Sequence, residues 1–125
     1  MDENRIGDII VAAALRVHTN LGAGLLESAY EACLLYELGK HGLRVQSQVA
    51  MPIQYEEVRL DIGFRLDLLI EERVVVEVKA VEKLLPVHTA QLLSYLKLGD
   101  FRLGYLLNFN VPHMRDGIKR VVNRL

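Results

Sequence analysis

Two aliphatic runs divided by a short charged break constrain this chain more than anything else in it. Phe64-Arg65-Leu66-Asp67-Leu68-Leu69-Ile70 leads through Glu71-Glu72-Arg73 into Val74-Val75-Val76-Glu77-Val78-Lys79-Ala80. The pattern predicts a β-hairpin. Strand alternation puts Phe64, Leu66, Leu68 and Ile70 on one face of the first strand, and Val74, Val76, Val78 and Ala80 on one face of the second. Arg65, Asp67 and Leu69, with Val75, Glu77 and Lys79, take the opposite faces. Apart from these charges the strands are as apolar as strands covered on both sides. Unpaired buried charges are costly, so these groups need one another, solvent, a metal or a substrate.

Register decides which charges meet. A two-residue turn would set Leu66 opposite Glu77 and send Asp67 to the other face. A three-residue turn, or a bulge, sets Asp67 opposite Glu77 and aligns the two apolar rows, and is the expected arrangement. Directly opposed Cβ atoms lie roughly 5 Å apart. Two carboxylates so placed repel unless a cation lies between them or one takes up a proton.

A length of 125 residues predicts a single domain, 1–125, with one core. The net charge of −1 provides no global basic field to attract nucleic acid, although a local patch would suffice. No apolar run reaches the roughly 18 residues of a membrane helix, and the first residues lack the pattern of a signal peptide. A cytoplasmic protein with no membrane association is expected. The one cysteine, Cys33, excludes an internal disulfide and a thiolate zinc cluster, and reads as a small core residue.

Along the chain, Ile6, Ile9, Ile10, Ala13, Val17 and Leu21 predict a helix from 4 to about 20, closed by Gly22 and Gly24. A second helix is expected from about 25 to 40, with Glu27 and Glu31 on one face and Gly42 beyond its end. Residues 44–54 read as a strand, with Pro52 marking a bend or an edge. Tyr55-Glu56-Glu57 forms a turn and Val58-Arg59-Leu60 resumes the sheet. A third helix follows from about 87 to 98, then a strand at 102–108, a loop at 110–116 and a short last strand at 118–123, with a helical turn as the alternative for that last segment. Strand 102–108 should run parallel to the strand carrying Glu77, because a helix connects them. The sum is an α/β chain with a mixed sheet and helices packed on it.

Asp67, Glu77 and the Val78 carbonyl form a hard-oxygen set suited to Mg²⁺ or Mn²⁺. Lys79 beside them could orient a water or neutralise charge on a phosphate undergoing attack. From the residues alone, a structural ion-pair cluster is the competing account. His88 reads as a solvent-facing or capping residue, with contact to a phosphate as the alternative, and His18, His41 and His113 lack zinc spacing. Arg115, Lys119, Arg120 and Arg124 form a basic C-terminus, either a solvated face or a backbone contact for DNA.

Asp67 followed by Glu77-Val78-Lys79 resembles the core motif of the PD-(D/E)XK nuclease superfamily. Gly24-Leu25-Leu26-Glu27-Ser28-Ala29-Tyr30 is similar to the GxxExxY signature of one family of small proteins within it, and Gln91-Leu92-Leu93-Ser94-Tyr95 resembles a QxxxY helix motif of its exonuclease-like branch. Leu66 stands where the superfamily pattern has proline. The resemblance implies a restriction-endonuclease-like αβββαβ core with a mixed central sheet flanked by helices. It implies Asp67 and Glu77 as metal ligands, Lys79 as catalytic lysine, and Glu27 completing the acidic site directly or through water. It implies that Gln91 and Tyr95 border the site from the third helix, contacting the motif residues or a phosphate of the substrate. The expected activity is magnesium- or manganese-dependent hydrolysis of DNA. The alternative is an inactive module of the same fold that binds nucleic acid or a protein. A third account makes the polar cluster structural and locates function in a homodimer surface. So small a nuclease core is expected to dimerise or work with a partner.

Overall fold

The computed structural model describes residues 1–125. The elements run α1 (Glu3–Leu21), α2 (Glu27–Gly39), β1 (Val45–Tyr55), β2 (Val58–Ile70), β3 (Val74–Lys79), α3 (Pro86–Gly99), β4 (Leu103–Asn108) and β5 (Ile118–Val122). The expected loop before β5 ends in a short 3-10 turn, Met114–Gly117. No helix is long and apolar enough to cross a membrane.

The five strands lie in chain order. All neighbours are antiparallel except β3 and β4, which are parallel and joined through α3, as a strand–helix–strand unit requires. Pro52 falls on edge strand β1, where the register against β2 shifts between Met51 and Ile53. Proline is tolerated there because no further strand needs its missing N–H.

The sheet is covered on both faces. On one, α1 and α2 bury Ile6, Ile10, Tyr30 and Leu34 against Leu68, Val76 and Leu107. On the other, α3 buries Leu92 and Leu96 against Leu66, Leu69, Val75 and Leu106. Each such aliphatic side chain contributes roughly 1.5–3 kcal/mol. Gly104 lets α3 approach β4: a Cβ there would meet Leu92 Cδ1 at 3.0 Å and Leu96 Cδ2 at 3.1 Å. The α1 stripe ends at Val17, since Leu21 is exposed.

The hairpin closes with three residues. Ile70 pairs with Val74, and Leu68 with Val76. Glu71 and Glu72 adopt φ of 54° and 55°, and the Arg73 N–H donates to the Ile70 carbonyl. Asp67 and Glu77 therefore face each other one step beyond the last ladder pair, as the longer turn predicts. The expected face assignment of β2 needs correction. Phe64 and Leu66 pack under α3, whereas Leu68 and Ile70 pack against α1 and α2. The pleat breaks at Asp67, whose backbone N–H bonds a side chain instead of a strand. Gln48, which would face Asp67 from β1, stands at φ 52°, so both strands turn over at the same level.

Candidate active site

Asp67 and Glu77 complete the ladder with their own side chains. The Asp67 N–H donates to Glu77 Oε2 at 2.9 Å, and the Val78 N–H donates to Asp67 Oδ2 at 2.8 Å. Each acid commits one oxygen to the other's strand. The remaining oxygens, Asp67 Oδ1 and Glu77 Oε1, accept nothing from the protein. No buried side-chain oxygen or nitrogen in the chain lacks a partner, so both of these free oxygens touch solvent.

Glu77 is only 5% exposed. Burial, then the charge of Asp67, raises its carboxyl from 4.5 to about 8; the hydrogen bond from the Asp67 backbone and the Lys79 charge oppose that rise, and Glu31 adds to it. At neutral pH, with no cation, the pair retains a proton. Lys79 is half-buried two residues along β3, on the side of the strand that carries Glu77. Its ammonium forms none of the chain's ion pairs, which all lie elsewhere.

The backbone around Lys79 is held from β4. The Phe109 N–H donates to the Lys79 carbonyl at 3.0 Å. Buried Asn108 accepts from the Val81 N–H at 3.0 Å and donates to the Val81 carbonyl at 2.9 Å, pinning the connector that leaves the site. Glu27 opens α2, and its Oε1 accepts from the Ala80 N–H at 3.3 Å. This puts Glu27 at the end of β3, although no three acidic, histidine or cysteine side chains converge as a ready metal cage. Tyr30 fixes the approach to Glu27. Its hydroxyl donates to the Gly22 carbonyl at 2.6 Å and accepts from the Leu25 N–H at 3.1 Å, while its ring stacks on Phe109 at 4.5 Å.

Tyr95, on α3, lies within range of the pair's charges. Its ring stacks on Phe64 at 4.7 Å, and burial, with the charges of Glu77 and Asp67, pushes its hydroxyl above the ordinary tyrosine range. Gln91 is exposed one helical turn earlier, on the same side of α3. His88 is a cap: its Nδ1 accepts from the Leu85 N–H at 2.9 Å.

Glu31 was not singled out for chemistry by its sequence context, yet it belongs to this neighbourhood. Burial raises its carboxyl, the Gln48 amide opposes this, and the charges of Asp67 and Glu27 add to the rise. Gln48 Nε2 lies 3.0 Å and 3.2 Å from its two oxygens. The i,i+4 spacing from Glu27 was the only available signal, because Gln48 and Asp67 come from distant strands.

The residues fit a divalent cation. Two hard carboxylates face each other, one is buried and reluctant to ionise, and each has an unengaged oxygen at solvent. The largest concavity, about 800 Å³, lies elsewhere, beside Lys83, Pro86, Asp116 and Lys119.

Comparison with curated proteins gives no match. The crystal structure of SSO0001 superposes with a TM-score of 0.59 at 19% identity, over 96% of this chain and 67% of that one, a likeness of fold. A family model described as the PD-(D/E)XK nuclease superfamily matches residues 4–121. Since the match spans nearly the whole chain, from the start of α1 into β5, this protein belongs to the PD-(D/E)XK nuclease superfamily.

Proposed function

We propose that this chain is a cytoplasmic, single-domain member of the GxxExxY family and a metal-dependent nuclease that hydrolyses DNA phosphodiester bonds. The observation that carries the proposal is the reciprocal lock between Asp67 and Glu77, which leaves one oxygen of each acid at solvent, with Lys79, free of any ion pair, two residues along the same side of β3 and its charge acting on Glu77. Asp67 Oδ1 and Glu77 Oε1 would hold Mg²⁺ or Mn²⁺. A cation bound there supplies charge to offset the anionic phosphate and acidifies a water. Lys79 places its own positive charge where the phosphate's oxygens gain negative charge, and orients the attacking water. Tyr95, its hydroxyl kept protonated, donates to a phosphate oxygen, and Gln91 contacts the strand beside it. Glu27 holds water at the rim of the site.

Purified protein with Mg²⁺ or Mn²⁺ is expected to cleave DNA, and Lys79→Ala is expected to abolish cleavage with an unchanged circular dichroism spectrum. Single-stranded, double-stranded and branched DNA all left intact with either ion would overturn the proposal. Glu27 favours a second reading, a binding module that has kept the fold, because its carboxylate engages the Ala80 N–H rather than the acid pair. Metal-independent DNA binding without cleavage would support that reading.

A further inference from the structure

The β1–β2 pair extends beyond the rest of the sheet. β3 pairs with β2 only from Leu68 to Ile70, so further out there are two strands alone. Cross-strand partners share a face, and the register pairs Met51 with Phe64, Ile53 with Leu60, and Tyr55 with Val58. Met51, Ile53 and Phe64 pack into the core under α3. Tyr55, Val58 and Leu60 continue the same face into solvent, exposed at 67%, 56% and 48%. The reverse face carries the pairs Gln54 with Arg59 and Ala50 with Arg65. Over the paired residues polar and apolar side chains are thus segregated, on a ribbon that has nothing on its apolar side; Ile62, also exposed, lies in the register break between Leu60 and Phe64. A lone two-stranded ribbon is marginal in water, and an apolar strip continuous with the core invites a partner.

We propose that the apolar face of this ribbon is the contact surface for a second copy of the chain. Charge selects the occupant. None of the side chains on that face is charged; across it, Arg59 pairs with Asp61 at 3.3 Å and Arg65 donates to the Gln48 carbonyl at 3.1 Å. DNA would require cations on the contacting face. A second copy instead presents the same uncharged strip, and a two-fold axis brings like to like without repulsion. The two ribbons then form two stacked layers about 10 Å apart.

Tyr55, Val58 and Leu60 together expose roughly 300 Å² per copy at ordinary side-chain areas. The three side chains from both copies thus account for roughly 600 Å², with the exposed parts of Met51, Ile53 and Ile62 adding to it, a contact at the small end of the range, below about 1,200 Å². The dimer is therefore weak and concentration-dependent. Phe64, at the root of the ribbon, stacks on Tyr95, so the interface adjoins the candidate active site. The proposal does not depend on that site being catalytic.

Sedimentation velocity on the full chain tests it. The expected result is a monomer–dimer equilibrium with a Kd of about 1–100 µM, the weak range of small transient contacts. Leu60→Asp is expected to be monomeric throughout with an unchanged circular dichroism spectrum, while Arg59→Ser, on the reverse face, still dimerises. A wild-type monomer at the highest concentration overturns the proposal, as does a Leu60→Asp dimer as tight as wild type. Hydrogen exchange needs no variant: amides across residues 53–60 should exchange more slowly as wild-type concentration rises, and exchange independent of concentration overturns the proposal. Loss of DNA binding in Leu60→Asp without a change in oligomeric state would assign the face to nucleic acid instead.

Discussion

Replacing Glu77 by glutamine should make the fold less sensitive to alkaline pH. Glutamine keeps the shape and an oxygen to accept the Asp67 N–H, but carries no charge. In the native chain burial and Asp67 raise the Glu77 carboxyl from 4.5 to about 8. The folded state therefore binds this proton more tightly than the unfolded chain. The stability it contributes is complete below about pH 4.5 and is lost as pH rises through about 8. At about 1.4 kcal/mol per pH unit, the loss between pH 5 and pH 9 is about 4 kcal/mol. That is a large share of the 5–15 kcal/mol typical of a domain, and roughly 12–20 °C in Tm for a chain of this size. Thermal unfolding at pH 5, 7 and 9 in chelator measures it. Wild type should lose stability across this range by that amount more than Glu77→Gln, and Mn²⁺ should restore wild type alone by binding the folded state. Parallel pH profiles for the two proteins would refute the claim that burial and Asp67 outweigh the groups that favour the Glu77 anion.

Further outcomes follow from the contacts around the site. Tyr30→Phe removes a hydroxyl that both donates and accepts, and should cost about 1–3 kcal/mol in urea unfolding. Asn108→Leu strands the Val81 N–H and carbonyl, and should destabilise by about 2–4 kcal/mol while loosening hydrogen exchange at Val81. Gly117→Ala sets a Cβ against the Asn108 carbonyl oxygen and should lower Tm by the equivalent of about 1–3 kcal/mol. A Tm unchanged in any of the three would show that the contact named is not formed in solution.

Much of the architecture was legible because periodicity reports burial. The three helices, the hairpin, the parallel return of β4 and the edge position of Pro52 all follow from spacing and connection rules. The register of Asp67 against Glu77 followed from turn length. What the pattern hid was the reversal of faces at Asp67. Alternation assumes that backbone N–H groups bond backbone carbonyls, and here carboxylates take those bonds on both strands. The left-handed backbone of Gln48 was equally hidden, since glutamine carries no local signal for it. Glu31 and Asn108 escaped for a related reason: their partners come from remote segments, and only the folded chain brings Gln48 to one and Val81 to the other. Tyr30 was visible as part of a motif, but its work is to hold the loop from Gly22 to Leu25 that delivers Glu27.

Isothermal titration of Mn²⁺ into wild type, Asp67→Asn and Glu77→Gln at neutral pH, repeated in buffers of different ionisation enthalpy, tests the acid pair most directly. The geometry predicts one Mn²⁺ per wild-type chain, with release of about one proton from the pair, and binding lost in both variants. No binding to wild type, or equal binding to all three proteins, would contradict it.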